Sequence, residues 1–273
     1  MFLIKFKKFF KKLYYLLVDF LNRNSEQNIR LFHMHKTGGT FISSFFPMKY
    51  RVGHQPNFKN YTNQNLIPIG TIRNPLSFYP SAVNFWLSEN QNPKYLAKNQ
   101  ETTIRNIKRP EGKFLKPISE PSHVADFLYK ESNGDLGRAV ELLFDEVFLN
   151  KYSQYTQYSI NYKERHNKIF NFMLENSIGF YTYCFLDQYS NRELQGYIDI
   201  ENEIKMIKSK FHFVYIENYK NDIKKLSEIY SFRTYKFFNK KMASDPDTKP
   251  VVTKKLQDFI MENDKFIFKH FYA

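Results

Sequence analysis

The sequence predicts an α/β protein, and three passages from strand to helix carry that prediction. The first runs from Ile29 to Phe46, where the apolar run Ile29 to Met34 leads through Lys36-Thr37-Gly38-Gly39-Thr40 into apolar residues at helical spacing. The second is Leu66 to Ile72, apolar apart from Pro68, Gly70 and Thr71, which passes through Arg73-Asn74-Pro75 into the pattern Phe78, Ala82, Phe85, Trp86. The third is Phe211 to Glu217, followed by Ile223, Leu226, Ile229 and Tyr230 on one helical face. Strand-type runs that each feed a helix-period pattern read as an α/β arrangement. At 273 residues the chain suits one large domain, taken here as 25–273 behind an N-terminal helix, 1–24.

The chain carries 41 basic against 27 acidic residues, a formal net charge of +14. Anionic partners follow from that: a polyphosphorylated cofactor, an acidic glycan, an anionic lipid surface or nucleic acid. The single cysteine, Cys184, excludes an intrachain disulfide and a cysteine-based zinc site.

Met1 to Asn24 reads as an amphipathic helix. At 100° per residue Phe2, Phe6, Phe9, Phe10, Leu13, Leu16, Leu17 and Phe20 gather on one face, with Lys5, Lys8, Lys11 and Lys12 opposite and Lys7 near the boundary. The longest uncharged run, Leu13 to Val18, is too short to cross a bilayer, and no small-residue cleavage site follows. Two readings stay open: a helix docked on the domain, or an in-plane membrane helix facing anionic headgroups.

After the polar link Asn24 to Asn28 comes the glycine turn. Glycines let the backbone approach a ligand, and the first N–H groups of the following helix are unpaired and sit at the positive end of its dipole. Phosphate or a relative of phosphate is the natural occupant. Lys36 precedes the glycines, so the turn does not fit the Walker A order. Lys49 to Val52 reads as a short strand, and Gly53-His54-Gln55-Pro56 as the loop at its end, which places His54 on the ligand side of an α/β sheet. Asn57 to Gln64 is polar and loop-like. Pro75 suits a first helical turn, and Arg73 and Ser81 fall where a strand end and the second turn of a helix can grip one phosphate.

Glu89 to Pro121 is polar and proline-punctuated, and 89–150 reads as an insertion forming a lid or an acceptor-binding element. Ser122 opens one helical pattern, through Lys130, and Asp135 another, through Phe148. Tyr152 to Asn176 is rich in Tyr and Lys at helix-like spacing. Gly179 to Leu186 fits a strand or a buried helix equally. Asn239-Lys240-Lys241 is a basic loop, Asp245 to Pro250 a break, and Val251 to Tyr272 a closing helical segment.

The motif His33-x-His35-Lys36-Thr37-Gly38-Gly39-Thr40 after a strand resembles the 5′-phosphosulfate loop of PAPS-dependent sulfotransferases, most closely the carbohydrate branch, with His35 where that family usually has Pro. Arg73-Asn74-Pro75 with Ser81 resembles the same family's 3′-phosphate motif, Asn74 standing for the commoner Asp. The segment Phe211 to Glu217 is similar to a late strand of the family that ends in Glu. The resemblance is specific over Ile29 to Trp86, loose from Phe211 onward and absent in the middle third.

It implies a three-layer α/β/α fold with a central parallel sheet, akin to P-loop nucleotide kinases. It also implies transfer of the sulfuryl group of PAPS to a glycan hydroxyl. Lys36, Thr37, Gly38, Gly39, Thr40, Arg73 and Ser81 would bind the co-substrate, Lys36 would stabilise the leaving phosphate, and His54 would be the base. His33 and His35 are the next candidates for the base. No metal is expected. The expected acceptor is a glycan or lipid-linked glycan, and the expected location is the cytoplasm, at the inner face of the membrane. The competing readings are a kinase with a degenerate phosphate loop and a basic module binding nucleic acid or membrane.

Overall fold

The structure is a computed structural model and describes residues 2–22, 28–34, 37–52, 57–61, 65–82, 132, 138, 141–142, 168–169, 171–235 and 253–273. His35, Lys36, the loop 53–56 with His54, most of 89–150, and 239–241 lie outside the described residues. The chain divides into two compact units. One comprises Met1–Asn74, Cys184–Glu193 and Glu201–Ala243, the other Pro75–Tyr183, Leu194–Ile200 and Ser244–Ala273.

The first unit is built on a three-stranded parallel sheet of β1 (Ile29–Leu31), β2 (Ile67–Ile72) and β3 (His212–Tyr215), in the order β1-β2-β3. Ile29 lies opposite Ile67, and Ile69 opposite His212. The chain is therefore a mixed α/β protein with a small parallel sheet, as the alternation of strand and helix patterns predicts. Parallel strands are normally covered on both faces, and these are. On one face Ile29, Leu31, Ile69 and Val214 pack with Ile42, Phe46, Ile223 and Leu226. Ile42 belongs to the short helix α2 (Gly39–Ser43), while Ile223 and Leu226 belong to the helix Tyr219–Ile229. On the other face Phe213 stacks on Phe185 with ring centroids 5.7 Å apart, and Phe32 meets Phe211 at 5.9 Å. Gly70 makes that second layer fit, because a Cβ there would stand 2.5 Å from the Phe213 ring.

Each strand ends for an identifiable reason. β1 stops short of Met34 because the Met34 amide turns to the Tyr189 hydroxyl, 3.2 Å away, instead of a strand neighbour. β3 stops at Tyr215, whose amide donates to the Asp222 carboxylate at 2.9 Å, and residues Ile216–Asn218 tighten into a 3₁₀ turn before the next helix. The expected strand at Lys49 to Val52 is corrected. Pro47 opens a 3₁₀ turn over Met48–Tyr50, and only Arg51 bridges to Leu31. Part of the expected loop Asn57 to Gln64 is likewise a 3₁₀ turn, Phe58–Tyr61.

Helix α1 (Phe2–Asn22) belongs to the first unit and docks by the stripe opposite its Phe/Leu face. Val18 and Asn22 are buried. Asp19 accepts from the Tyr235 hydroxyl at 2.6 Å and from the Met48 amide at 3.1 Å. The Asn22 side chain accepts from the Arg233 amide at 3.0 Å, and Lys49 donates to the Asn22 carbonyl. Tyr15 packs on Tyr235, ring centroids 4.5 Å apart.

In the second unit residues 75–82 are helical from Pro75, as expected. Thr253 caps the helix Lys254–Asn263 by accepting from the Leu256 amide at 3.3 Å, and the chain continues helically to Tyr272. The stretch from Gly179 resolves as helix Phe180–Tyr189, running from this unit into the first. The reason lies outside the stretch. Buried Asp264 accepts from the Thr182 amide (2.9 Å) and hydroxyl (2.6 Å), and so caps the helix from across the fold.

Candidate functional site

Because the three strands are parallel, their carboxyl ends share one edge of the sheet, where α/β proteins bind ligands. The chain sets three sequence-marked features at that edge, all within the first unit. The glycine turn follows β1, Arg73 follows β2 directly, and Glu217 follows β3 by two residues. Glu217 accepts from the Asn74 amide at 2.8 Å, so the end of β3 holds the backbone just beyond Arg73. Arg73 itself is partly buried.

Inside the turn the residues divide their tasks. Gly38 adopts the left-handed conformation (φ 68°, ψ 15°), which L side chains rarely accept, and a Cβ there would meet Ile216 at 2.4 Å. Gly39 lies against the His33 ring, since a Cβ would fall 2.1 Å from it. Both glycines thus keep the turn closely packed on its own unit. Thr37 is fully buried, and its hydroxyl donates to the Met34 carbonyl at 2.7 Å and lies 2.7 Å from the Thr71 hydroxyl. Its amide points to the Met34 carbonyl at 3.4 Å. Thr37 therefore shapes the turn from inside. The backbone of Thr40 lies in the first turn of α2, and Lys36 and His54 fall outside the described residues.

Sequence reasoning missed Tyr189, which holds this turn to the sheet. Its buried hydroxyl donates to the Thr71 carbonyl at 2.6 Å and accepts from the Thr71 amide at 3.0 Å and the Met34 amide at 3.2 Å. Burial pushes its pKa up to about 12, which keeps the proton on the oxygen. Thr37, Thr71, Met34 and Tyr189 form one network that fixes Met34 and Thr37, on either side of Lys36, against the strand before Arg73. No local pattern marks Tyr189, because its partners lie 118 and 155 residues away in sequence.

Ser81 sits partly buried on the helix 75–82, in the second unit, while Arg73 belongs to the first. Their joint grip on one phosphate stays an expectation from the sequence. Among the described residues no group of three or more His, Cys, Asp or Glu side chains is placed to hold a metal.

Fold and edge together define an α/β protein with a glycine turn at the carboxyl end of a strand in a parallel sheet. Comparison with known protein families, with curated proteins and with solved structures finds no match.

Proposed function

We propose that the chain is a sulfotransferase that moves the sulfuryl group of PAPS onto a carbohydrate hydroxyl, on a three-layer α/β/α scaffold. The observation that carries this reading is the placement of the glycine turn and Arg73 at the carboxyl ends of two neighbouring parallel strands, in the order that the resemblance requires. The turn would receive the 5′-phosphate. Lys36 and the amides of Gly38 to Thr40 would be the donors there, with Thr37 holding the turn in shape. Arg73 would pair with the 3′-phosphate in bidentate fashion, and Ser81 is the sequence's second candidate for that group.

The reaction is an in-line displacement at sulfur. The acceptor oxygen forms its bond to sulfur as the bond from sulfur to the 5′-phosphate oxygen breaks, and the electron pair stays on that oxygen. Lys36 would stabilise the growing charge, the kind of fixed donor that acts most strongly away from water. The proton of the acceptor hydroxyl would pass to His54. A glycan acceptor agrees with the resemblance and with the net charge of +14, which favours acidic partners.

Calorimetry with PAP, the desulfated product, against AMP tests the binding half of the proposal. Tighter binding of PAP, lost in Arg73→Ala, supports it, and equal affinities overturn the role given to Arg73. Radiolabelled PAPS with a panel of glycans tests the transfer itself. Labelled glycan is the expected result, and labelled nucleic acid or protein in its place would refute the acceptor class.

A further inference from the structure

Helix α1 carries a row of exposed large apolar side chains. Phe9, Leu16, Leu17 and Phe20 are each more than half exposed, and Phe10 and Leu13 stand at 51%. A continuous row of large apolar side chains on a solvent face is uncommon and marks an interaction surface. Docking contacts of α1 come from Tyr14, Tyr15, Val18, Asp19 and Asn22, and those of Val18, Asp19 and Asn22 lie on the opposite side of the same helix. The helix is thus docked on the first unit and still carries exposed Phe and Leu side chains from Phe9 to Phe20.

We infer that this face of α1 lies in the headgroup layer of an anionic bilayer, with the rest of its unit held on the aqueous side. The charge pattern selects that occupant. The basic side of the helix begins beside the apolar row, where the positions of Lys5 and Lys12 are its nearest members, Lys7 stands near the other boundary, and the short stretch from Lys5 to Lys12 holds five lysines. Such edges suit phosphate headgroups, with the apolar row below them in the acyl boundary. A second copy would bring the same cationic edges together, and a peptide-binding groove would have to enclose a helix already held along one side. No described helix is long and apolar enough to cross a membrane, so α1 would lie in the plane. The inference does not depend on the sulfotransferase reading.

The test uses the full chain and sedimentation with vesicles of phosphatidylcholine alone or in equal parts with phosphatidylglycerol. Binding should be strong only with the anionic vesicles and fall as salt rises. Lys5→Gln with Lys12→Gln should weaken it by up to about five-fold per lysine, the scale of one cation near such a surface. Leu13→Gln with Leu17→Gln should abolish binding and leave the melting temperature unchanged, because both side chains are more than half exposed. Failure of the wild type to bind either vesicle overturns the inference. So does a melting temperature lowered by the leucine pair, which would make the face part of the fold. A wild-type dimer that the same pair converts to monomer overturns it as well, by assigning the face to a second copy.

Discussion

At the turn after β1 a single buried oxygen stands in for a missing strand neighbour. Tyr189→Phe keeps the ring that packs on Phe185 and Phe213 but leaves the Met34 and Thr71 amides without their acceptor. Each buried orphan costs about 1–3 kcal/mol, so urea unfolding should show the variant weakened by a sum on that scale. A loss below about 0.5 kcal/mol would mean that the oxygen does not anchor the turn. Lys36 and His54 carry the chemical prediction. Lys36→Ala should lower turnover by about 10²–10³, the scale for losing one donor to the transition state. His54→Ala should lower it by about 10²–10⁴ while PAP affinity survives. An active His54 variant with a flat pH profile would move the base elsewhere, and His35 would be next, since His33 already packs across Gly39. The glycine turn and the strand end before Arg73 were legible because both are local events. Tyr189 was not, because its role exists only once the sheet has formed.

Elements were legible where their pattern was periodic and self-contained. α1, β2 with its Pro75 exit, helix Tyr219–Ile229 and the closing helices stand close to where periodicity puts them. Lys49 to Val52 misled because apolar alternation says nothing of pairing, and Pro47 turns the chain before a ladder can form. Helix Ile200–Lys210 has acidic residues in its first turn and basic ones in its last, a readable signal that a motif-led reading passes over. Gly179 to Leu186 stayed open because its residues are apolar all round, and the deciding cap, Asp264, lies 82 residues from Thr182. That cap makes a pH prediction. Burial raises the Asp264 pKa from 3.8 to about 6, so the folded state holds a proton that the unfolded chain releases. Its contribution to stability is complete below about pH 4 and is lost as pH rises through about 6, a swing of about 3 kcal/mol. Asp264→Asn removes the titration while keeping the side chain's shape. Denaturant melts of both proteins from pH 4 to pH 7 should show the wild type losing ground to the variant as pH rises, with the other carboxylates cancelling in the difference. A difference that stays level would show that Asp264 is ionised throughout.

On the scale of the whole molecule, charge and site must be separated, because +14 draws every anion toward the surface whatever the edge of the sheet recognises. The two effects have different ranges. Attraction by the net charge acts through solvent and fades over a Debye length, about 10 Å at 0.1 M salt and about 3 Å at 1 M. A bidentate contact between Arg73 and a phosphate acts at hydrogen-bond distance, where salt screens it far less. PAP and AMP share the nucleoside and the 5′-phosphate, and differ by one phosphate that only a placed cation can read. Dissociation constants for both ligands, measured from 0.05 to about 1 M salt, should therefore rise together at first. The ratio of PAP to AMP affinity should then level off above one and hold. In Arg73→Ala the ratio should start lower and fall toward one as salt rises, since only the long-range part is left. A basic nucleic-acid module behaves differently: its affinity for any polyanion falls linearly on a log–log plot of salt, and it keeps no preference for PAP at the high end. A wild-type ratio that collapses to one at high salt would thus leave the chain a general anion binder and remove the ground for placing PAPS at this edge.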